Sequence, residues 1–515
     1  MSWADDCIHH EQSLEGLPIS SISIDNANIF DPEDEGENLW IHRVANSLHI
    51  KTQKKTIEGL ILFDRMQPYS EQLVEETERM IRSKAYIHDA RIESDPVCGE
   101  GVRLKILTTD NWTLTPNISI DSSGGETRTS FELEESNLLG LGTSINLKSE
   151  SDEDRDENSV SFYDSNWLGN HKNLNLTLSN NSDGYFYETR LYRPFVQLDS
   201  RYAWSVEVSA LELERPVYTN GVLSDKVGET AETAQVSYGW SKGMVGDSVT
   251  RFEVGWAFSD KEFFQTDDFP LSEIPESEIS SYPFFGYSLS QPIYLTMTNF
   301  RVMEVSEDIS IGDSFSFDLG WKDEAFGSDE RGLVVGVDYN YGSRIANRSL
   351  WFVDLSLDYE ANAERDDKGF FSLGGRFYHY RAQDHSYLIN GAIETALNPE
   401  NFEEYVLGGD SGLKGYPIRY QSGDTKVTFA LEDRFYFDWY PWKLLKFGTA
   451  VFFETGSAWV EEDGPNFLSN VGFGLRVVST RQSKAKVLHA DIAFPLSERG
   501  QVDSYQLFLK ARAEF

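Results

Sequence analysis

Cysteine is almost absent. The 515-residue chain has two, Cys7 and Cys98, both in its N-terminal fifth. No metal-ligand spacing surrounds either one, and no metal site is expected. An oxidising compartment would permit a Cys7–Cys98 bridge, and two unpaired thiols are equally compatible with the sequence. Basic residues are also few. Lys and Arg total 45 against 85 Asp and Glu, a formal charge of −40. No basic stripe is available to neutralise phosphates, which excludes nucleic acid as a partner. No run of 18 apolar residues occurs, so no transmembrane helix is available. Mean hydropathy is −0.43. That value suits a soluble protein and equally a transmembrane β-barrel, in which only alternate residues face lipid. The nine histidines are scattered, without H-E-x-x-H or G-x-S-x-G, so neither enzymatic activity nor a cofactor is expected. A complete signal peptide is missing too. The opening Met1-Ser2-Trp3-Ala4 fits the small-x-small end of a cleavage site, and residues 1–17 read as the segment left after cleavage, or Ala4 is there by chance.

Aromatics make up 13 % of the chain, too many for disorder despite the charge. Residues 18–109 read as one mixed α/β module. A strand covers Ile19 to Ile24 and a first helix runs from about Leu39 to Leu48. A second helix starts at Ser70, a plausible N-cap after Pro68-Tyr69, and Leu73, Val74, Thr77 and Ile81 form its stripe. Strands Tyr86 to Ile92 and Val102 to Leu107 close the module, giving the order β-α-α-β-β.

From residue 110 onward the chain changes character. Segments of about ten residues alternate with period two, the signature of a β-barrel. Trp351, Val353, Leu355, Leu357 and Tyr359 alternate with Phe352, Asp354, Ser356 and Asp358. Leu333 to Tyr341 and Phe315 to Trp321 repeat the pattern. A soluble sandwich alternates as well, but here the pattern continues for some 400 residues, with aromatics near the segment ends, as membrane girdles require. If the first strand runs outward from the module, connections on the module's side are mostly short. Those on the far side are long or acidic, notably 150–157, 261–280 and 398–424. The count is about 20 strands, provided 282–304 is one long strand. Four of the segments could instead be hairpins standing above the membrane. The acidic run 150–157 and His9-His10 could bind a cation, but solvated surface is the simpler reading.

The densest motif is Leu407-Gly408-Gly409-Asp410-Ser411-Gly412-Leu413-Lys414-Gly415-Tyr416, followed by Arg419. It resembles the inward-folded extracellular loop of the BamA/TamA outer-membrane family, the bacterial surface antigen proteins. That loop carries Val/Leu-Arg-Gly-Phe/Tyr. Lysine stands here for arginine, keeping the charge but losing the bidentate fork, and Arg419 could compensate. Phe452-Phe453-Glu454-Thr455-Gly456 matches the family's Phe-x-Asp-x-Gly strand with Glu for Asp. The β-α-α-β-β order is that of the family's periplasmic POTRA domain, and Thr56 to Phe63 resembles the linker before its second helix. Asn137-Leu138-Leu139-Gly140 and Asn166-Trp167-Leu168-Gly169 resemble the inner turns of its early strands.

A cation inside a barrel needs a carboxylate. Phe452, Glu454 and Gly456 share a face. Glu432 and Arg434 share one on the preceding strand, and Gly472, Gly474 and Arg476 on the following one. These are read as a lumen cluster that pins the loop through Lys414, against the alternative of a generic polar interior. The last strand alternates Tyr505, Leu507, Leu509, Ala511, Ala513 and Phe515 with polar neighbours, and its terminal aromatic resembles the assembly signal of outer-membrane barrels. Pro116 in the first strand removes a ladder donor. It marks either a weak seam or the strand's periplasmic margin.

The resemblance implies a mainly β fold, a transmembrane antiparallel barrel over 110–515 with a family norm of 16 strands, and one POTRA domain. It implies a Gram-negative outer membrane, with bilayer and lipopolysaccharide around a monomeric barrel and client proteins reached through the periplasmic module. The implied function is accessory insertase or translocase. A passive or gated small-molecule pore, or a secretion pore dedicated to one partner, remains open.

Overall fold

The computed structural model describes residues 14–97, 101–123, 126–219, 222–266, 274–400 and 402–512. Cys7, Cys98, His9, His10 and Phe515 lie outside the described residues.

The N-terminal module is a three-stranded sheet with helices. Its elements are β1 (Ile19–Ala27), α1 (Trp40–Leu48), α2 (Lys54–Glu58), α3 (Glu71–Arg82), β2 (Ile87–Val97) and β3 (Gly101–Asp110). The sheet order is β1-β3-β2, parallel between β1 and β3 and antiparallel between β3 and β2. Ser70 caps α3 by accepting from the Leu73 N–H, and Val74, Thr77 and Ile81 are buried. One expectation is corrected. The stretch read as a linker contains α2, so the order is β-α-α-α-β-β. The reason lies in the core: Ile57 on α2 and Leu60 and Phe63 after it sit at 0, 2 and 4 % exposure, packed with Val102, Leu104 and Ile106 of β3. One helical turn is enough to aim Ile57 inward.

Among the described residues, twenty-one strands form the closed barrel, from β4 (Leu114–Ser123) to the closing strand Gln506–Arg512. Segments Glu278–Ser290 and Ile293–Thr298 flank Pro292 and both pair with strand Ser306–Lys322, so the wall holds about twenty staves. This exceeds the 16 strands that the resemblance implied. All of these segments but Ile293–Thr298 belong to the wall, so the expectation of four extra hairpins above the membrane fails. Segment 213–229 lies at the top of a long hairpin, Tyr202–Thr219 with Val222–Val245. The expected single strand over 282–304 breaks at Pro292, which cannot donate to a ladder.

That break has a consequence inside the barrel. Ile293–Thr298 pairs with Ser306–Ile311 alone, and this hairpin peels from the wall. Its tip enters the inner half of the lumen, the half nearer the module. Phe300 packs on Phe352 and Tyr378. Met303, fully buried, packs among Tyr436, Val478 and Val487. Glu304 meets Lys446 at 2.7 Å.

The wall is inside-out relative to a soluble sandwich. Ile118, Phe131, Leu178, Val236, Val451 and Phe473 are exposed on its exterior, whereas Arg434, Glu454, Asn470, Arg476, His489 and Asp491 are buried within. Apolar residues out and polar residues in, around a closed ring, is the pattern of a barrel whose solvent is lipid. The module sits against the inner mouth. Arg82 of α3 pairs with Asp308 at 2.9 Å, Thr56 donates to the Gly140 carbonyl, and Glu76 accepts from the Leu198 N–H.

His88 on β2 gives the module a pH response. Burial first, and the Arg481 guanidinium second, push its imidazole from 6.5 down to about 4. Below about pH 6.5 the unfolded chain takes up a proton that the folded module refuses until about pH 4. Stability is therefore complete above that window and falls as pH drops through it, by up to about 3 kcal/mol. Hydrogen exchange at β2 and β3 amides, corrected for intrinsic rates, should show weaker protection at pH 5 than at pH 7. His88→Gln should flatten the difference; equal slopes in both proteins would refute the assignment.

Candidate functional site

The loop 398–424 leaves strand His385–Leu397 at the outer end and folds back into the lumen. Two short strands, Tyr405–Leu407 and Gln421–Gly423, pair at its neck. Gly408 takes φ +129, and a Cβ there would lie 2.0 Å from the Pro417 carbonyl oxygen. Only glycine permits that turn. Gly409 follows with φ +56. Leu407, Leu413 and Tyr416 are fully buried against Ala458 and Leu468. The Tyr416 hydroxyl donates to the carbonyls of Ser469 at 2.9 Å and Ser497 at 3.1 Å. Gly415 lies against Asn470, where a Cβ would come within 2.6 Å.

This packing delivers Lys414 to the wall. Its Nζ is 3.1 Å from Glu454 Oε1 and 3.4 Å from Asp491 Oδ2, and 3.9 Å from the Phe452 ring centroid. Its backbone N–H donates to Glu454 Oε2 at 3.0 Å, as does the Asn470 amide. Arg476, fully buried, binds Asp491 and reaches Glu432 at 3.2 Å. Arg434 forks onto Glu432 at 2.8 and 3.0 Å. Lys414, Arg434 and Arg476 thus face Glu432, Glu454 and Asp491, three cations against three anions. Gly472 and Gly474 make room for it: a Cβ would meet Phe452 at 2.3 Å in the first case and Asp491 at 1.7 Å in the second. Gly456, beside the Val427 carbonyl, lets Leu407 approach.

Two partners escape a reading by motif. Asp491 lies in strand Val487–Pro495, where Val487, His489, Asp491 and Ala493 share the buried face. A lone carboxylate on that register was the available signal. Arg419 does not join Lys414. It crosses to the opposite side, meeting Glu153 at 2.5 Å and Asp154 at 3.0 Å, over the Tyr218 ring at 3.7 Å. The acidic run 150–157 therefore anchors the loop tip. A second carboxylate group, Glu278, Glu330 and Glu360, has ligand atoms within 4.8 Å of one another. The buried Lys322 ammonium stands among them, 2.9 Å from Glu278, and supplies the cation.

The seam is the other feature. Adjacent wall strands share six to eighteen register pairs. Among the described residues the closing strand and β4 share one, Leu509 with Ser122. Tyr505, Leu507 and Leu509 are exposed on the lipid face, and Phe508 is buried inward. Pro116, third in β4, lies below that pair at the inner margin and opposite Leu133. There the turn 480–486 reaches past the closing strand. The Trp112 N–H donates to Arg481, the Ser483 N–H donates to Trp112, Ser136 bonds Ser483 at 2.8 Å, and Lys484 and Lys486 pair with Glu134 and Glu132.

Removing Lys414 leaves Glu454 and Asp491 underpaired in a desolvated site, at a cost of about 3–5 kcal/mol, less where water enters the lumen. Lys414→Ala should lower the temperature at which the barrel loses its detergent-resistant fold and open 398–424 to protease, and Lys414→Arg should retain most of both. Unchanged heat stability and protease resistance in Lys414→Ala would show that the pair does not pin the loop.

No known protein family's profile matches the sequence, and no curated protein matches it. Solved structures do resemble it. BamA from Haemophilus ducreyi lacking POTRA domains 1–3 is 11 % identical, covering 95 % of this chain and 83 % of that one, with a TM-score of 0.40. CdiB from Escherichia coli is 13 % identical, covering 98 % and 79 %, with a TM-score of 0.49. CdiB from Acinetobacter baumannii is 12 % identical, covering 96 % and 73 %, with a TM-score of 0.46. Likeness this remote carries no argument about what the chain does, and the functional reading stands on the lumen and the seam.

Proposed function

We propose that this protein is a non-enzymatic outer-membrane insertase or translocase of the BamA/TamA type. It handles other polypeptides at the junction of its first and last barrel strands. The observation that carries the reading is the seam, where among the described residues β4 and the closing strand share one register pair, beside a lumen that two inward-folded segments narrow. The folded-back loop occupies the outer half, and Phe300 and Met303 occupy the inner half. A route through the lumen would have to displace both, together with the module beneath. A route through the seam parts, among the described residues, one register pair and the contacts of the 480–486 turn. An incoming strand could add to the exposed edge of β4, satisfying its backbone groups as sheet neighbours do. The POTRA-type module would face the periplasm. Its sheet order leaves β1 and β2 as edges on which an extended client could be received.

A secretion pore dedicated to one partner is the second reading. It is favoured by Arg419, whose partly buried ion pairs with Glu153 and Asp154 could release the loop and clear the outer lumen. Depletion followed by outer-membrane proteomics separates the two. An insertase loses several barrels, and a dedicated pore loses one surface or secreted protein.

The seam itself is tested in a background with Cys7 and Cys98 replaced by serine. Ser122→Cys with Leu509→Cys should crosslink, leave the barrel folded, and abolish the restoration of client levels until reductant is added. A control pair at Ile389 and Leu431, which face each other across an ordinary strand junction, should crosslink without loss. Full restoration with the seam locked would refute the proposal.

A further inference from the structure

α1 is built the wrong way round for a helix of a soluble module. Its buried side is polar. His42 is 1 % exposed and its Nε2 bonds the Trp442 carbonyl at 2.7 Å. Asn46 exchanges two hydrogen bonds with the Phe30 backbone. Its outward side is apolar: Trp40, Val44 and Leu48, at i, i+4 and i+8, are 70, 45 and 68 % exposed. The module core is complete without any α1 side chain. An apolar stripe of this kind buries itself against something.

Its position says what that is. Trp442 and Trp439 of the inner turn 437–444 are 53 and 60 % exposed and continue the wall's lipid face at its inner margin, where tryptophan belts sit. The segment before α1 is fixed to that rim by Asp34–Lys443 at 2.9 Å and Glu37–Arg481 at 2.6 Å. On the seam side, Ala45 of α1 lines a cavity of about 240 Å3 with Trp112, which precedes β4, and Pro116 of β4.

We infer that α1 is an interfacial helix that lies in the inner leaflet beside the seam, its occupant being the headgroup region of the bilayer. Trp40, Val44 and Leu48 enter the lipid next to Trp439 and Trp442, so the membrane-facing surface runs unbroken from barrel to module. A helix of this type embeds its apolar face about 5–10 Å into the headgroup and acyl boundary. The consequence is that the module is held under the seam by lipid as well as by Arg82–Asp308, and the bilayer is disturbed at the place where the barrel would open.

The inference rests on the barrel being membrane-embedded, and the experiment separates the two. The full chain, with Cys7 and Cys98 replaced by serine, is reconstituted in phosphatidylethanolamine–phosphatidylglycerol vesicles. It carries an NBD fluorophore at Leu48→Cys, at Val451→Cys on the lipid face of the wall, or at Glu75→Cys on the solvated face of α3. The Leu48 label should be blue-shifted, several-fold less accessible to aqueous iodide than the Glu75 label, and quenched more by shallow than by deep nitroxide lipids. A Leu48 label as accessible as that at Glu75, with the Val451 label quenched by lipid, would overturn the inference alone. Protection from iodide without lipid quenching would also overturn it, indicating a protein on α1. Failure of the Val451 label to sense lipid would overturn the membrane reading itself.

Discussion

Charge balance in the middle of the barrel is the constraint on which the other features depend. A ring that turns its apolar residues to lipid must turn polar ones inward, and Arg434 and Arg476 are buried there at 3 and 0 % exposure. Ions so placed are tolerable only when paired and hydrogen-bonded. Glu432 serves both arginines, Asp491 serves Arg476 and Lys414, and Glu454 serves Lys414. The last cation arrives on a loop from the far end of the barrel. Without Lys414 the wall's carboxylates outnumber its cations at this level, so the loop completes the wall rather than decorating it. Leu413 and Tyr416 on either side keep the ammonium in place by burial, and Arg419 extends the hold to the opposite side.

Narrowing the lumen and weakening the seam are complementary. Closure elsewhere rests on ladders of up to eighteen pairs. At the seam the described residues form one, supplemented by side chains of the 480–486 turn. Backbone ladders are uniform and cooperative, whereas the clasp of the 480–486 turn is local: a buried Ser136–Ser483 hydrogen bond and the exposed Lys484 and Lys486, whose ion pairs salt screens. A barrel that opens sideways needs strong walls, a narrowed centre and one junction of this second kind.

The alternating segments, the fold-back loop and the Lys414–Glu454 juxtaposition were legible because each rests on local pattern: period two, glycine density, and charge on a common face. What escaped was non-local. Asp491 is a single carboxylate in an otherwise ordinary strand, and its role depends on which strands become neighbours. Arg419 looked like a substitute for the missing arginine fork, yet a positive φ of 55° and Tyr218 across the lumen take it elsewhere. The hairpin at 293–311 kept its strand-like alternation through Tyr294 and Thr296, so Pro292 was the sole sign of a departure from the wall. The outward stripe of α1 followed the usual helical period. Which side of it faces the core is decided by His42 finding the Trp442 carbonyl four hundred residues away.

The central claim is that the seam opens and the lumen does not. Steady-state ion conductance of the reconstituted chain in planar bilayers tests it most directly. The account predicts a closed baseline that is the same with the Ser122–Leu509 lock oxidised or reduced, because ions meet the folded loop and the inner hairpin in either state. A large, stable conductance that persists with the lock oxidised would contradict it, placing the working path through the lumen.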